Sequence, residues 1–216
     1  MAIEFLLERF QANKDNPAII WQDKIIDYSQ LLNYYYEAST FLKQEGVNSG
    51  EVISLTGDFT PRSISILLAL IGNGNIIVPL NAPLKESEQI KFDIAEVEKC
   101  IEVNLETDQH TMSVRSVVAS HPYFQRLREF HKSGLVLFTS GTSGFPKGAV
   151  HDFARLLDKF RTTRKSLRTI NFLLFDHWGG LNTLFHTLSN CGVVLALRNR
   201  KPESVCEFIE RYKIEL

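Results

Sequence analysis

The stretch LVLFTSGTSGFPKGAVH, residues 135–151, gives the clearest indication of the fold. Four apolar residues lead into six residues, 139–144, that are only Thr, Ser or Gly. Pro146 and Lys147 follow, and then Gly148. A short apolar run that ends in such a segment is typical of a buried strand followed by an exposed loop. The loop would present flexible backbone and one fixed positive charge at the carboxyl end of the strand.

Short apolar runs alternate with longer helical patterns on both sides of this loop. The runs that predict strands include EVISLT, NIIVPL, INFLLF and GVVLAL, at residues 51–56, 75–80, 170–175 and 192–197. This alternation predicts an α/β fold with a mainly parallel sheet flanked by helices. We expect right-handed crossovers and a ligand site at the carboxyl ends of the strands. The loop after residue 140 lies at such an end.

Capping and turn residues predict where further elements begin. The runs AIIW and IIDY, at residues 18–21 and 25–28, predict a hairpin, after which Ser29 is expected to cap a helix. Thr60 followed by Pro61 predicts the start of another helix.

Two further helices are predicted from apolar spacing. One covers residues 85–99, and Asp152 is expected to cap the other, which runs to about Lys165. The residues expected on one face of the first helix are Ile90, Ile94 and Val97.

Composition is that of an ordinary globular protein and excludes several classes. The 216 residues are 44% hydrophobic and 23% charged, with a formal net charge of -1. This balance gives no reason to expect nucleic acid or an anionic membrane as a partner. No apolar run reaches the roughly 18 residues that span a bilayer, so we expect no transmembrane segment and a cytoplasmic location. The three cysteines lack C-x-x-C spacing, which favours incidental thiols over a metal site.

The residues of the loop suit it to bind an anion. Gly141 and Gly144 allow positive φ angles, so successive backbone N–H groups can point into one concavity. Lys147 adds a mobile charge, and charge-assisted hydrogen bonds of about 1.5–3 kcal/mol each would together hold a polyphosphate. The hydroxyl donors of the loop are Thr139, Ser140, Thr142 and Ser143. The alternative is a solvated hairpin turn, although such a turn needs only about two to five residues.

The spacing disfavours two other phosphate-binding loops. A Walker A loop ends in Gly-Lys-Ser/Thr, whereas here Pro146 precedes Lys147 and Gly148 follows it. The dinucleotide-binding pattern Gly-x-Gly-x-x-Gly is also missing from the stretch. An unrelated P-loop hydrolase is therefore disfavoured.

The segment TSGTSGFPKG, residues 139–148, resembles the phosphate-binding signature of the adenylate-forming enzymes. That family includes acyl-CoA synthetases, the adenylation domains of peptide synthetases, and luciferases. Every position of the signature is filled. The flanking segments resemble the family as well, at residues 18–55, in ILLALIGNGNIIVPLNAPL at 66–84 and in FDHWGGLNTLFHTLSNCGVVLAL at 175–197. The resemblance covers essentially the whole chain, but only as the first part of the family's longer domain.

The resemblance implies a two-step reaction. A carboxylic acid would attack the α-phosphate of Mg-ATP, pyrophosphate would leave, and an acyl-adenylate would form. The thiol of coenzyme A or of a carrier protein's pantetheine would then take the acyl group. Such transfers depend mainly on positioning and on stabilisation of charge, which agrees with a phosphate-binding loop. The implied ligands are ATP, Mg²⁺, a carboxylic acid and a thiol acceptor, and the sequence does not indicate which acid.

The resemblance also implies roles for individual residues. His177 matches a histidine that in the family lies near the carboxylate and the phosphate, although a capped strand end is the alternative. Asp176 is either a helix cap or a residue that supports the site, and Phe175 and Trp178 could equally be core residues. The resemblance gives Lys147 a catalytic role. The residues implied to bind the β- and γ-phosphates are Thr139, Ser140, Gly141, Thr142, Ser143, Gly144 and Lys147.

Two departures from the family pattern limit what the resemblance implies. Many relatives have a histidine where this chain has Phe153, and we interpret His151 as a strand-end or surface residue. Nothing resembles the family's Tyr-Gly-x-Thr-Glu stretch, whose Glu helps to hold Mg²⁺, or its ribose-binding Asp and C-terminal catalytic Lys. We therefore expect no metal ligand in this chain.

These departures predict an N-terminal portion of an acid–thiol ligase that is inactive by itself. The alternative is a non-catalytic module that binds a nucleotide or a partner. We predict a hairpin and helix of a neighbouring subdomain at 1–50, an α/β subdomain with the loop at 51–197, and the start of a further subdomain at 198–216. Exposed apolar residues at the two ends are expected to favour self-association. These residues are Phe5, Leu6, Val205, Phe208 and Ile209.

Overall fold

The structure is a computed structural model that describes residues 2–140, 145–197 and 199–216. The strands are β1 (Pro17–Trp21), β2 (Lys24–Asp27), β3 (Val52–Gly57), β4 (Ile76–Asn81), β5 (Lys99–Val103), β6 (His110–Val114), β7 (Gly134–Ser140), β8 (Pro146–Asp152), β9 (Arg168–Asn171) and β10 (Val193–Ala196). The helices are α1 (Glu4–Ala12), α2 (Tyr28–Gln44), α3 (Pro61–Asn73), α4 (Ile90–Ile94), α5 (Pro122–Glu129), α6 (Phe153–Leu157), α7 (Trp178–Ser189) and α8 (Pro202–Tyr212). Short 3-10 turns cover Glu86–Glu88 and Asp158–Phe160.

The strands form two sheets. One has the order β2-β1-β10-β9 and the other the order β6-β5-β3-β4-β7-β8. The inner pairings and the β10–β9 pairing are parallel, whereas the edge strands β2, β6 and β8 pair antiparallel with their neighbours. The predicted α/β fold with mainly parallel pairing is confirmed, and its strands divide between two sheets.

The largest apolar core lies between the two sheets. Leu31 of α2, Ile66 of α3 and Leu184 of α7 belong to one buried cluster with Ile19 of β1 and Ile53 of β3. Helices α2, α3 and α7 therefore fill the space between the sheets, and α1 joins them at the edge of this layer.

The outer faces of the sheets carry smaller clusters. Phe92 of α4 and Phe124 of α5 cover the six-stranded sheet in a cluster with Val78 of β4. Half-buried Val205 and Phe208 of α8 cover the outer face of the four-stranded sheet.

The predicted hairpin and helix starts are largely confirmed. β1 and β2 pair antiparallel as expected. Helix α2 begins before the predicted cap, Ser29, because Asp27 accepts a hydrogen bond from Gln30 N and the Gln30 side chain accepts one from Asp27 N. Helix α3 begins at Pro61, and the Thr60 hydroxyl accepts a hydrogen bond from the helix backbone as predicted.

The helix predicted over residues 85–99 is wrong in length and orientation. Only Ile90–Ile94 is an α-helix, after a short 3-10 turn. Phe92 and Val97 are buried, whereas Ile90 and Ile94 are 38% and 40% exposed. The large ring of Phe92 therefore takes the place against the sheet that was predicted for the isoleucines.

The helix predicted from Asp152 is much shorter than expected. Asp152 Oδ1 does accept a hydrogen bond from Arg155 N at 3.3 Å, which confirms the cap. The helix ends at Leu157, and a single 3-10 turn follows it. The polar residues from 161 onwards lie in irregular structure.

The apolar residues near the two ends differ in burial. Leu6 was expected to be exposed, but it is fully buried in the core between the sheets. Phe5, Val205 and Phe208 are half-buried, and Ile209 is 42% exposed. The end of α8 therefore presents less apolar surface than predicted.

The predicted boundaries after residues 50 and 197 stay predictions. The hairpin of β1 and β2, assigned to residues 1–50, shares its sheet with β9 and β10. Strand β1 pairs in parallel with β10 over Ile19–Trp21. Residues 198–216 contain α8, which covers that same sheet.

Candidate active site

The predicted phosphate loop joins β7 to β8, which form an antiparallel hairpin. Thr139 lies directly opposite Lys147, and Ser140 lies opposite Pro146. Directly opposed residues of an antiparallel pair have side chains on the same face. Thr139 and Lys147 are both exposed. A hydroxyl group and an ammonium group thus share one face of the hairpin at the base of the loop.

The remaining predicted phosphate contacts lie outside the described residues. They are Gly141, Thr142, Ser143, Gly144 and the side chain of Ser140. Their roles stay predictions.

Strand β7 of the hairpin also pairs with β4. The two strands pair where they begin, Ile76 with Gly134 and Ile77 with Leu135. In the described chain no pairing continues beyond this point, although β4 extends to Asn81 and β7 to Ser140. The strands therefore separate toward their carboxyl ends. Such a separation at the carboxyl edge of a parallel sheet is the usual place for a ligand.

Asn81 at the end of β4 anchors the turn that carries His177. Asn81 Oδ1 accepts hydrogen bonds from Phe175 N at 3.0 Å and from Asp176 N at 3.4 Å. The Phe175 ring is buried, 5.3 Å from that of Phe59 between centroids. Phe175 is thus a core residue, and it fixes the turn while the His177 side chain remains 61% exposed.

Gly180 allows α7 to start close to this turn. A Cβ atom at Gly180 would lie 2.3 Å from the backbone oxygen of Leu174. Only glycine permits that approach without a shift of the backbone. The second glycine of the sequence DHWGG therefore sets the distance between the turn and the helix.

A row of charged side chains joins the turn to the hairpin. Lys91 Nζ lies 2.6 Å from Glu88 Oε1 and 3.8 Å from Asp176 Oδ2. It also lies 5.8 Å from the centroid of the Phe138 ring on β7. Asp176 Oδ1 is 2.5 Å from His177 Nδ1. Asp176 therefore links an exposed imidazole to a half-buried ammonium group.

The electrostatics around Glu88 favour its charged form. Burial raises the pKa of the Glu88 carboxyl. The hydrogen bond from Lys91, a backbone hydrogen bond and the nearby lysine charges together lower that pKa by more than burial raises it. The net pKa lies below its ordinary value. Glu88 is thus stabilised as a carboxylate that holds Lys91 in place between Phe138 and Asp176.

A family comparison connects this geometry to known proteins. The model of the family described as "AMP-binding enzyme" matches residues 6–216. The chain belongs to the AMP-binding enzyme family.

Curated relatives of this AMP-binding chain are ligases and peptide synthetases. 2-Succinylbenzoate–CoA ligase of Bacillus pumilus is 22% identical over 98% of the chain and 47% of the relative. Gramicidin S synthase 2 of Brevibacillus brevis is 19% identical over 99% of the chain and 5% of the relative. Bacitracin synthase 3 of Bacillus licheniformis is 24% identical over 68% of the chain and 2% of the relative. The chain spans about half of the ligase and a small share of the synthetases.

Solved structures share the fold of the AMP-binding chain. The N-terminal subdomain of Klebsiella oxytoca NpsA, in complex with 3-hydroxyanthranilyl-AMSN, has a TM-score of 0.76 and 16% identity over 97% of this chain and 57% of that one. The luciferase-like enzyme of the nonluminescent Zophobas morio mealworm has a TM-score of 0.77 and 18% identity over 99% and 58%. The predicted resemblance to adenylate-forming enzymes is confirmed as to family and fold.

Sequence reasoning missed three residues that organise the AMP-binding chain's candidate site. Asn81, Lys91 and Arg200 each act through contacts with residues far away in the sequence. The only signal was that Asn81 ends a strand, and a strand end alone does not indicate what its side chain contacts.

Arg200 joins the carboxyl edges of the two sheets. Its Nη1 and Nη2 donate to Asp58 Oδ2 and Oδ1 at 2.7 and 2.8 Å, and its Nε donates to Phe172 O at 2.7 Å. The strand predicted over residues 170–175 ends at Asn171, and residues 172–174 are exposed. The predicted strand was therefore too long. Arg200 binds the carbonyl oxygen of Phe172, which in a longer strand would accept a hydrogen bond from a neighbouring strand.

His151 and Trp178 occupy positions that agree with structural roles. His151 lies next to the end of β8, opposite Leu135, and is half-buried. The half-buried Trp178 ring lies 5.0 Å from Lys159 Nζ, in a cation–π contact at the start of α7. Neither residue contacts the row from Glu88 to His177 through a described hydrogen bond or ion pair.

Two negative findings concern the described ranges only. No three His, Cys, Asp or Glu side chains in those ranges come together in a group that could hold a metal ion. Helices in the same ranges are too short or too polar to cross a bilayer.

Proposed function

We propose that this chain supplies the phosphate-binding part of an enzyme that activates a carboxylic acid with ATP. The observation that carries the proposal is the pairing of exposed Lys147 with Thr139 at the base of the signature loop. Membership of the AMP-binding family supports ATP as the nucleotide. Acyl-adenylate formation with release of pyrophosphate is the first reaction that we propose.

Lys147 would bind the β- and γ-phosphates and stabilise charge as pyrophosphate departs. Its long, flexible side chain can follow the phosphate during the reaction. Because it stands on a paired strand, the base of that side chain is fixed while the ammonium group moves. The other donors would come from Thr139 and from the loop at 140–144.

His177 would orient the carboxylate of the acid. Its exposed imidazole stands on the turn that Asn81 of β4 anchors, with Nδ1 beside Asp176. That contact leaves Nε2 as the nitrogen that faces an incoming group. Lys91 would hold Asp176, and thereby His177, relative to the strand that leads into the loop.

We further propose that a thiol takes the acyl group in a second reaction. The acceptor would be coenzyme A or the pantetheine of a carrier protein. Both kinds of relative support this step, since one relative is named as a CoA ligase and others as peptide synthetases. Mg²⁺ would enter with ATP, and we propose no metal ligand from this chain.

The chain by itself is proposed to bind phosphate without catalysing the full reaction, because it spans only about half of its ligase relative. Acid-dependent ATP–pyrophosphate exchange by the purified 216-residue chain should be at background. Calorimetry should still detect weak binding of tripolyphosphate. Lys147→Ala should abolish that binding, and Lys43→Ala, at an exposed lysine on α2, should leave it unchanged.

The results separate the proposal from its alternatives. Robust exchange would contradict the proposal that the chain by itself cannot catalyse the reaction. It would leave the proposed phosphate-binding role of Lys147 intact. Binding that is equal in the two lysine variants would contradict the phosphate role of the loop. A longer natural protein that contains this chain and binds ATP but shows no exchange with any acid would favour the non-catalytic module.

Self-association of the chain is a separate proposal. Exposed Phe172 and Ile209 and half-buried Phe5 offer apolar surface at three places. Such surface favours association. Multi-angle light scattering should give a mass above that of the monomer, and a monomer at all concentrations would contradict this proposal.

A further inference from the structure

A second cavity lies at the carboxyl ends of β3 and β5. Its volume is about 800 Å³. That size is within the range of small-molecule sites. Neither Lys147 nor His177 lines it. The cavity is therefore distinct from the candidate active site.

Strand ends and two turns border the cavity. Its floor is formed by β3 and β5, one wall by the segment after β4, and the other wall by the turn between β5 and β6. The lining residues that matter below are Thr56, Leu84, Glu102, Leu105 and Glu106.

The floor of the cavity contains a buried hydroxyl group without a partner. Thr56 is 3% exposed, and its Oγ1 takes no hydrogen bond from any described residue. Ser54, two residues earlier on the same face of β3, is likewise buried with an unpaired hydroxyl, but it does not line the cavity. An unpaired buried hydroxyl is unfavourable. A ligand that reaches Thr56 would remove that cost.

The charge of the lining is negative. Glu102 and Glu106 contribute carboxylates, and no Lys, Arg or His belongs to the lining residues of the described chain. Half-buried Leu84 and Leu105 add an apolar surface beside them. A metal ion is disfavoured, since no three acidic, His or Cys side chains converge in the described ranges and hard cations need several oxygen ligands.

The turn that carries Glu106 is held in place by its own hydrogen bonds. Asn104 Oδ1 accepts from Glu106 N at 2.9 Å and from Thr107 N at 3.0 Å. Gln22 Nε2, in the turn between β1 and β2, donates to Glu106 O at 2.9 Å. The wall of the cavity is therefore formed before any ligand arrives, as is usual for small-molecule sites.

We propose that this cavity binds an organic amine with an apolar body. The ammonium group would donate to the carboxylates of Glu102 and Glu106 and, with its third hydrogen, to Thr56 Oγ1. The apolar body would lie against Leu84 and Leu105. This site is independent of the proposed adenylation, so the failure of one proposal leaves the other standing.

The test uses the 216-residue chain labelled with ¹⁵N and the probe 2-phenylethylamine. We expect saturable shifts of the backbone amides of residues 102–109. The matched probe 3-phenylpropanoate has a similar body but a negative charge, and it should cause no such shifts. Glu102→Gln and Glu106→Gln should each weaken amine binding by about fivefold, since a partly exposed ion pair contributes about that factor.

Two hydroxyl variants distinguish a ligand contact from a structural effect. Thr56→Val should weaken amine binding several-fold, and Ser54→Ala should leave it unchanged, although both remove a buried unpaired hydroxyl. Circular dichroism and thermal melting check that all variants are folded. The proposal is overturned if the two probes bind equally, if the shifts lie elsewhere, or if folded glutamine variants bind the amine like the parent.

Discussion

Arg200 and Asp58 form a two-point ion pair that connects the carboxyl edges of the two sheets. The side chains are 28% and 15% exposed, so the pair is shielded from water on most sides. Bidentate pairs of this kind have a fixed geometry as well as a favourable charge. The pair therefore fixes the segment after β9, which leads directly to the turn of His177.

Arg200→Ala should destabilise the fold. The substitution removes both bonds to Asp58 and the bond to Phe172 O, and it leaves the mostly buried Asp58 carboxylate unpaired. We expect a loss of about 2 kcal/mol in the free energy of unfolding, the usual size for hydrogen bonds to charged groups. Urea denaturation followed by circular dichroism measures the change.

A matched variant separates this pair from surface ion pairs in general. Arg161 pairs with Asp158 at 3.2 Å, but the side chains are 55% and 64% exposed. Arg161→Ala should therefore cost less than about 1 kcal/mol. Equal losses of stability in the two variants would show that the Asp58–Arg200 pair stabilises the fold no more than an exposed ion pair does.

Lys147→Ala should slow adenylation in a protein that contains this chain and catalyses the reaction. The lysine is expected to bind more strongly as negative charge moves onto pyrophosphate, so its loss should raise the barrier by about 2.7–4 kcal/mol. That corresponds to a rate about 10²–10³-fold lower. Single-turnover quench experiments measure it, with acid binding expected to stay within a few-fold. A rate close to that of the parent would make Lys147 a surface residue.

His177→Ala should change the first reaction and the choice of acid. The imidazole is exposed on the turn that Asn81 anchors, and Asp176 lies beside its Nδ1. Asp176→Asn should have a smaller effect in the same direction, because it keeps the shape of the turn and loses only the charge. Pyrophosphate exchange across a panel of acids gives both rate and ranking. An unchanged rate and ranking would leave His177 with a role in the turn only.

Local signals in the sequence were sufficient for strands such as those predicted over residues 51–56, 75–80 and 192–197. Apolar runs such as the one before Thr139 have no helical spacing, and Thr60–Pro61 is a start signal that needs no distant partner. The position of Lys147 across from Thr139 follows from the short connection between two strands. These features depend on residues close together in the chain.

Distant contacts explain what the sequence did not predict. The helix at 85–99 was wrong because one aromatic ring, Phe92, packs on the sheet more favourably than Ile90 and Ile94. Lys91 became part of the site through Asp176, 85 residues later in the chain, and no motif indicates such a pair. Side chains whose roles depend on the arrangement of separate elements require the structure.

Gly180→Ala and Gly179→Ala should have clearly different effects on stability, although the glycines are neighbours at the start of α7. A Cβ at Gly180 would meet the backbone oxygen of Leu174 at 2.3 Å, and the backbone would have to shift. A Cβ at Gly179 would meet only the flexible Leu173 Cδ1, at 2.9 Å. Alanine favours a helix over glycine by about 1 kcal/mol, so Gly179→Ala should be neutral or stabilising. Gly180→Ala should instead lower the free energy of unfolding by about 2 kcal/mol or more and displace the turn of His177. Urea denaturation of both variants measures the difference, and equal stability would contradict the close approach of α7 to the turn.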